Sequence, residues 1–112
     1  MPHIQETLRC QGRWGREIVL MDDVWYGKIL VQRPQLATAL DAVERTLSDP
    51  DQVNDDKTFA NREVFYRRSL LPPPYGWKLL KVVVRFAGAE GRVITAFPAF
   101  NVNPDERYRW SR

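Results

Sequence analysis

The stretch that decides the fold class is WKLLKVVVRF, residues 77 to 86. Its β-branched and aromatic residues favour a β-strand. Because successive side chains of a strand point to opposite faces, every second residue shares a face. One face then carries Leu80, Val82, Val84 and Phe86, and the other carries Leu79, Lys81, Val83 and Arg85. We predict that the first face lies on the core and that the second face meets solvent.

Segments on both sides of this stretch also have strand character. RVITAFPAF (92–100) follows it after AGAEG (87–91), a glycine-containing turn of hairpin length. REVFYRRSL (62–70) precedes it, and LPPPYG (71–76) is a loop because its prolines end strand pairing. Two further strands are predicted, over RWGREIVL (13–20) and over QVN (52–54). The pattern indicates an antiparallel sheet of about four to five strands.

Two helices are predicted between the first strand and the rest of the sheet. The first runs from about residue 23 to 31, with Asp22 or Asp23 as its cap. The second begins at Pro34 and ends at Ser48, before Asp49-Pro50. Its apolar stripe is Leu36, Leu40, Val43 and Leu47. We expect Leu40 to be buried against Val82 and Val84. The fold class is therefore α+β, with two N-terminal helices packed on one face of the sheet.

The segment NVNPDERYRWSR, residues 101 to 112, is predicted to be a basic-aromatic tail. Pro104 and the charged residues that follow it show no strand period, so we place residues after about 103 outside the core. Tyr108 and Trp110 would anchor this tail if the fold offers a groove. Residues 1–112 then form one domain whose core spans about residues 14–100.

Composition limits the class of protein. The chain has 112 residues, 44% of them hydrophobic, which suffices for one modest core. The lone cysteine, Cys10, rules out an intrachain disulfide and favours a reducing, cytoplasmic compartment. No apolar run approaches the roughly 18 to 20 residues of a membrane-spanning helix, and the N-terminus has no signal-peptide core. We therefore expect a cytoplasmic protein without a membrane partner.

Charge is distributed unevenly along the chain. The net charge is only +3, but residues 35–56 hold six carboxylates against one arginine. Residues 61–85 hold six cations against one carboxylate. Such an asymmetry gives the second segment the means to face an anion.

Several kinds of site are excluded for lack of the necessary side chains. There is one histidine, His3, and one cysteine, too few for a Ser-His-Asp or Cys-His arrangement or for a zinc site. No GxxxxGK[ST] or GxGxxG motif is present. We expect no metal and no cofactor. Arginine, lysine and tyrosine can nevertheless support RNA cleavage by the RNA's own 2′-hydroxyl, because preorganised cations stabilise charge on the phosphate.

The solvent-facing side of the predicted sheet carries such cations. Lys81 and Arg85 lie in line on one strand, and Tyr66, Arg67 and Arg68 lie on a neighbour. Basic side chains interleaved with aromatic ones form a platform for RNA. The alternative is an ordinary solvated sheet surface, since sheets commonly have one wet face.

Five short motifs occur in an order that resembles a known family. They are W25-x-x-K28-I29…R33-P34-Q35-L36, TLSDPDQV (46–53), REVFYRR (62–68), KVVVRF (81–86) and GRVITAF (91–97). Over about residues 14–100 the chain resembles a phage and bacterial family grouped with the barnase, EndoU, colicin and RelE nucleases. The resemblance implies helices packed on a curved antiparallel sheet and a metal-independent endoribonuclease, often of toxin type, that cleaves single-stranded RNA on the open sheet face.

The resemblance also implies site residues. Lys28 and Arg33 stand where the family pattern W-x-x-H-I-x-x-x-H-P-E-L has histidines, and Gln35 replaces the glutamate. The implied catalytic set is Lys28, Arg33, Tyr66 and Arg67, with Tyr66 as a proton carrier or base stacker. The implied nucleic-acid-binding set is Arg68, Lys81, Arg85 and Thr95, although Thr95 also suits a buried strand.

Catalysis stays open, because the groups that titrate near neutral pH are replaced. The alternative function is a catalytically degenerate nuclease-fold protein that acts as a protein-binding inhibitor or as an accessory phage protein. An antitoxin is then a further candidate partner.

Overall fold

The computed structural model describes residues 5–68 and 71–112. His3 lies outside these ranges, as do the final two positions of the strand predicted over residues 62–70. The strands are β1 (Glu6–Gln11), β2 (Glu17–Met21), β3 (Gln52–Asp55), β4 (Arg62–Arg68), β5 (Leu79–Ala87), β6 (Glu90–Ala99) and β7 (Arg107–Ser111). They form one seven-stranded sheet in the order β1-β2-β6-β5-β4-β3-β7.

The helical segments are short and lie between β2 and β3. The first, α1, covers residues 22–32 and consists of an α turn, Asp22–Val24, a π turn, Trp25–Ile29, and an α turn, Leu30–Gln32. A 3₁₀ turn, Pro34–Thr38, is followed by α2, Leu40–Ser48. Within the described ranges, no helix combines the length and the apolar character needed to cross a membrane.

The predicted architecture of two N-terminal helices on a four- to five-stranded antiparallel sheet, of the RelE and barnase type, is wrong. The chain opens with a hairpin, in which β1 pairs antiparallel with β2, before any helix. Strand β2 then pairs in parallel with β6, so the sheet is mixed. A parallel pair needs a long crossover, and here the crossover contains every helix as well as β3, β4 and β5.

The second predicted helix is divided between two elements. Pro34 begins the 3₁₀ turn rather than the α-helix. Leu36, Val43 and Leu47 are fully buried, as the apolar stripe predicts, whereas Leu40 is only partly buried and packs at the margin of the core. The predicted stripe therefore has the correct period. Leu40 is less deeply buried than the rest because it is the first residue of α2.

The main core lies between the helical segments and one face of the sheet, which we call the helix face. It contains Leu80, Val82 and Val84 of β5, as predicted from alternation. We call the opposite side the far face; on β5 it carries Lys81, Val83 and Arg85. A smaller buried cluster lies on the far face, made of Val64, Tyr66, Leu79 and Val83.

The predicted tail is part of the sheet. Residues 107–111 form β7, which pairs antiparallel with β3, and Trp110 packs against the main core. Opposite charges join the two strands and the residues next to them: Arg109 Nη2 lies 2.9 Å from Asp55 between the strands, and Arg112 Nε lies 3.2 Å from Asp51 just beyond them. The acidic stretch after α2 and the basic residues of the tail thus neutralise each other.

Candidate nucleic-acid interface

The far face of the sheet has two halves, which differ in whether their positive charges are paired with a carboxylate. The closed half consists of Asn54, Tyr66 and Lys81 together with Glu106. The open half consists of Arg62, Arg85 and Arg92 together with Lys28. Both halves include residues of β4 and β5, and they differ in what covers them.

The closed half is covered by the connection between β6 and β7. This segment, residues 100–106, passes from β6 over β5 and β4 to reach β7 beyond β3. Val102 packs against the far-face cluster, and the backbone N–H of Asn103 donates to the Tyr66 hydroxyl at 3.2 Å. The segment therefore removes the middle of the far face from solvent.

Glu106 is the centre of the closed half. Its side chain is only 3% exposed, and its carboxylate accepts hydrogen bonds from Lys81 Nζ at 2.8 Å, the Tyr66 hydroxyl at 2.5 Å and the Asn54 amide at 3.3 Å. Burial, and then the hydrogen bond to Glu106, raise the pKa of Tyr66 well above its ordinary value. The Tyr66 hydroxyl therefore stays protonated as a donor to Glu106.

The open half is built on a row of arginines. Arg62 of β4 lies opposite Arg85 of β5, and Arg85 lies opposite Arg92 of β6. Neighbouring strands are about 4.8 Å apart, so the row spans about 10 Å. Like charges directly opposite each other are unfavourable, and within residues 5–68 and 71–112 none of the three makes an ion pair.

A β-bulge on β6 lies next to this row. Ile94 is an extra residue on β6, because Val83 pairs with Thr95 while Val84 pairs with Val93. Strict alternation would put Arg92 and Thr95 on opposite faces. The bulge instead puts both on the far face, so Thr95 lies on the same face as the row.

The same bulge holds Lys28. The Lys28 ammonium donates to the Ile94 carbonyl at 3.0 Å, and this anchors a helix side chain beside the sheet. Lys28 and the three arginines line a common pocket of about 330 Å³, with Asp23 as the carboxylate residue in its lining. The pocket is thus predominantly cationic.

Arg62 has unmet hydrogen-bonding capacity at the end of the row. Its Nε is buried and has no hydrogen-bond partner among the described residues. Its guanidinium lies 3.9 Å from the centre of the Phe59 ring, and Phe59 remains 48% exposed. A buried donor without a partner is costly, so Arg62 lowers the stability of the fold at this position.

Charges at the two flanks of the row are already paired. Arg9 of β1 lies two strands beyond Arg92 and binds Glu6, Glu17 and, at 3.8 Å, Glu90. At the other flank, burial raises the pKa of Asp56, but hydrogen bonds from the backbone of Phe59 and Thr58 and the charge of Arg62 outweigh it and lower that pKa. Carboxylates therefore bound the open half: three are paired with Arg9, and Asp56 accepts from backbone N–H groups and interacts with the charge of Arg62.

Of the eight site residues predicted from the sequence, the structure brings Lys28 and Arg85 together in the open half. Tyr66 and Lys81 lie in the closed half, and the Tyr66 ring is fully buried. Thr95 is half-buried on the far face, opposite Val83.

The three remaining arginines lie away from the open half. Arg33 is exposed at the end of α1 and donates to the adjacent Gln32 carbonyl at 3.0 Å. Arg67 faces the helix side and binds the backbone carbonyl and the carboxylate of Asp49 at 2.9 and 3.2 Å. The Arg68 side chain is 74% exposed at the opposite end of the far face.

Sequence reasoning missed Arg62 and Arg92 as site residues, and Glu106 as the group that neutralises Lys81. The hairpin turn between β5 and β6 offered one signal, because its register alone brings Arg92 opposite Arg85. No comparable local signal points to Glu106, which lies 25 residues from Lys81.

In comparisons with known proteins, no family model, no curated protein and no solved structure matches this chain. The resemblance to the barnase, EndoU, colicin and RelE group therefore stays a prediction. Within the described part of the chain, no group of three or more His, Cys, Asp or Glu side chains is placed to hold a metal ion.

Proposed function

We propose that this protein binds single-stranded RNA through the open half of the far face. The observation that carries the proposal is the row of Arg62, Arg85 and Arg92, set opposite one another without carboxylate partners among the described residues. Arginine guanidinium groups match phosphate oxygens in geometry and charge. A phosphate backbone would relieve the repulsion within the row.

A single strand suits this surface better than a duplex. The row is short, and Phe59 at its end has an accessible ring stacked beside Arg62. Unpaired bases can stack on aromatic side chains, whereas the bases of a duplex are already stacked on each other. Cations beside an aromatic ring are the combination that single-stranded RNA binders use.

The proposal is limited to binding. Tyr66, the predicted proton carrier, is buried and its hydroxyl donates a hydrogen bond to Glu106. Lys81 donates to the same carboxylate. The open half supplies Lys28 and three arginines, which suffice to hold a phosphate. Incubation of labelled single-stranded RNA with the protein in excess EDTA, followed by a denaturing gel, should therefore leave the RNA intact; cleavage products would restore the endoribonuclease hypothesis.

The test of binding is its salt dependence. Fluorescence anisotropy with a labelled 12-nucleotide RNA should give a log–log slope of about −0.7 for each phosphate neutralised. The variant Arg85→Ala/Arg92→Ala should flatten the slope by about 1.4. Arg33→Ala/Arg107→Ala removes two exposed arginines outside the open half and should change it little. No salt-dependent binding by the wild type, or equal flattening by both variants, would contradict the proposal.

A further inference from the structure

An exposed aromatic pair lies at the opposite end of the far face. Trp77 and Phe100 are each 66% exposed, and their ring centres are 5.0 Å apart at an angle of 59°. Neither ring belongs to the two hydrophobic clusters of the described fold. Folding stability therefore does not account for them, and paired large aromatics in solvent mark a contact surface.

The strands fix this pair in place. Trp77 lies just before β5 and Phe100 just after β6, and these strands meet here because Leu79 pairs with Ala99. Lys78 Nζ lies 4.4 Å from the centre of the Phe100 ring and 5.4 Å from that of Trp77. The two rings are thus held together with a cation beside them.

A cavity of about 520 Å³ opens beside the pair. Trp77 and Phe100 line it together with Arg68, Leu79, Asn101 and Val102. The Arg68 guanidinium is nearly free, since its only charged contact in the described structure is Asp51 at 4.0 Å. The cavity therefore combines two aromatic rings, an amide and an available cation.

We infer that Trp77 and Phe100 form a stacking site for one base of a single-stranded RNA, with Arg68 placed to contact an adjacent phosphate. The inference deepens the proposed function and rests on it. Leu79 and Arg85 are six residues apart on β5, so the two sites are separated by about 20 Å. A mononucleotide cannot occupy both, whereas a longer strand can.

Charge decides between this ligand and a second copy of the chain. Two copies that met through this surface would bring Arg68 and Lys78 of one against the same cations of the other, and like charges repel. A nucleotide offers a π-face to the rings and a negative phosphate to Arg68. Stacking on aromatic side chains tolerates any base, so the site adds affinity with little sequence preference.

The experiment compares RNA with a polyanion that has no bases. A 12-nucleotide single-stranded RNA and inorganic polyphosphate of equal charge are titrated against the full chain by calorimetry. The wild type should bind the RNA at least about 5-fold more tightly than polyphosphate. Trp77→Ala should remove that advantage and leave polyphosphate affinity unchanged. Trp14→Ala, which removes a partly exposed tryptophan elsewhere, should keep it.

Each outcome bears on one of the two proposals. Binding of neither anion by the wild type overturns the proposed function and this inference together. Equal binding of RNA and polyphosphate leaves the open half as the binding surface and overturns the stacking site. An unchanged RNA advantage in both Trp77→Ala and Phe100→Ala overturns it as well. Loss of a dimer in Trp77→Ala by sedimentation, with RNA affinity unchanged, assigns the pair to a self-interface and also overturns it.

Discussion

The closed and open halves of the far face both carry positive charge, but only the closed half pairs that charge with a carboxylate. Each presents basic side chains on the far face, Lys81 in the closed half and three arginines with Lys28 in the open half. In the closed half a single carboxylate, Glu106, binds Lys81 and accepts from Tyr66. In the open half, Arg62, Arg85 and Arg92 face one another without such a group. The number of cations on a sheet face therefore says little about its affinity for anions until the connections that cross it are known.

Solvent access explains why the two halves need different partners. Lys81 is 13% exposed in its side chain, so its charge requires a counter-charge within the protein. Arg85 and Arg92 are exposed, and water and salt solvate them. An exposed cation is stabilised by water and stays available to an anionic ligand, whereas a buried cation must be neutralised within the protein as the chain folds.

Removing the counter-charge of the closed half should have the largest effect. Glu106→Ala leaves the Lys81 ammonium and the Tyr66 hydroxyl without their acceptor. Breaking a buried pair in this way costs about 3–5 kcal/mol of unfolding free energy, measurable by urea denaturation. The matched control is Asp105→Ala, which removes the exposed neighbouring carboxylate. A loss for Glu106→Ala no larger than that of the control would show that the closed half is not a stabilising contact.

Removing one donor from the same carboxylate should cost less. Tyr66→Phe keeps the buried ring and deletes the hydroxyl that donates to Glu106 and accepts from Asn103. We expect a loss of about 1–3 kcal/mol at neutral pH. Tyr26→Phe, at an exposed tyrosine, should change the unfolding free energy little.

The Tyr66 pair also predicts a pH dependence. The pKa of this hydroxyl is raised in the folded state, by burial first and by Glu106 second. Its contribution is therefore complete below the ordinary tyrosine value of about 10 and is lost as pH rises above it. Urea denaturation between neutral and alkaline pH should show a shallower alkaline loss in Tyr66→Phe than in the wild type. Parallel curves would contradict this.

Making the open half resemble the closed half should have the smallest effect on stability, and it should be a gain. Arg85→Glu places a carboxylate opposite both Arg62 and Arg92. Each cross-strand pair of opposite charge contributes about 0.2–1 kcal/mol, so we expect a rise of about 1 kcal/mol in unfolding free energy. RNA binding should fall sharply. Arg107→Glu is the inverse control, because Arg107 lies opposite Asp55 and reversal should destabilise.

Local patterns in the sequence predicted the parts of the fold that local pairing determines. Alternation along β5 placed Val82 and Val84 in the core and put Lys81 and Arg85 together on the other face. The stripe of α2 placed Val43 and Leu47 in the core. The predicted strands over 62–70 and 92–100 correspond to β4 and β6 in the described residues.

Those local patterns could not predict the contacts between segments that are distant in the sequence. Pairing of β7 with β3 depends on cations such as Arg109 meeting Asp55 across 54 residues. The sequence did show an acidic segment and a basic tail, and charge complementarity was the available signal. Alternation along β6 alone misplaces Thr95 relative to Arg92, because the bulge at Ile94 puts both residues on the far face.

That bulge has a consequence for how the chain accommodates changes in length. Deletion of Ile94 would join Val93, opposite Val84, directly to Thr95, opposite Val83, and so would restore a regular ladder. Every other side chain of β6 would keep its face. What would disappear is the carbonyl that accepts from Lys28. A one-residue deletion inside a central strand ordinarily moves the side chains that follow it to the other face of the sheet. Here it would instead remove only the acceptor that holds one cation at the binding surface.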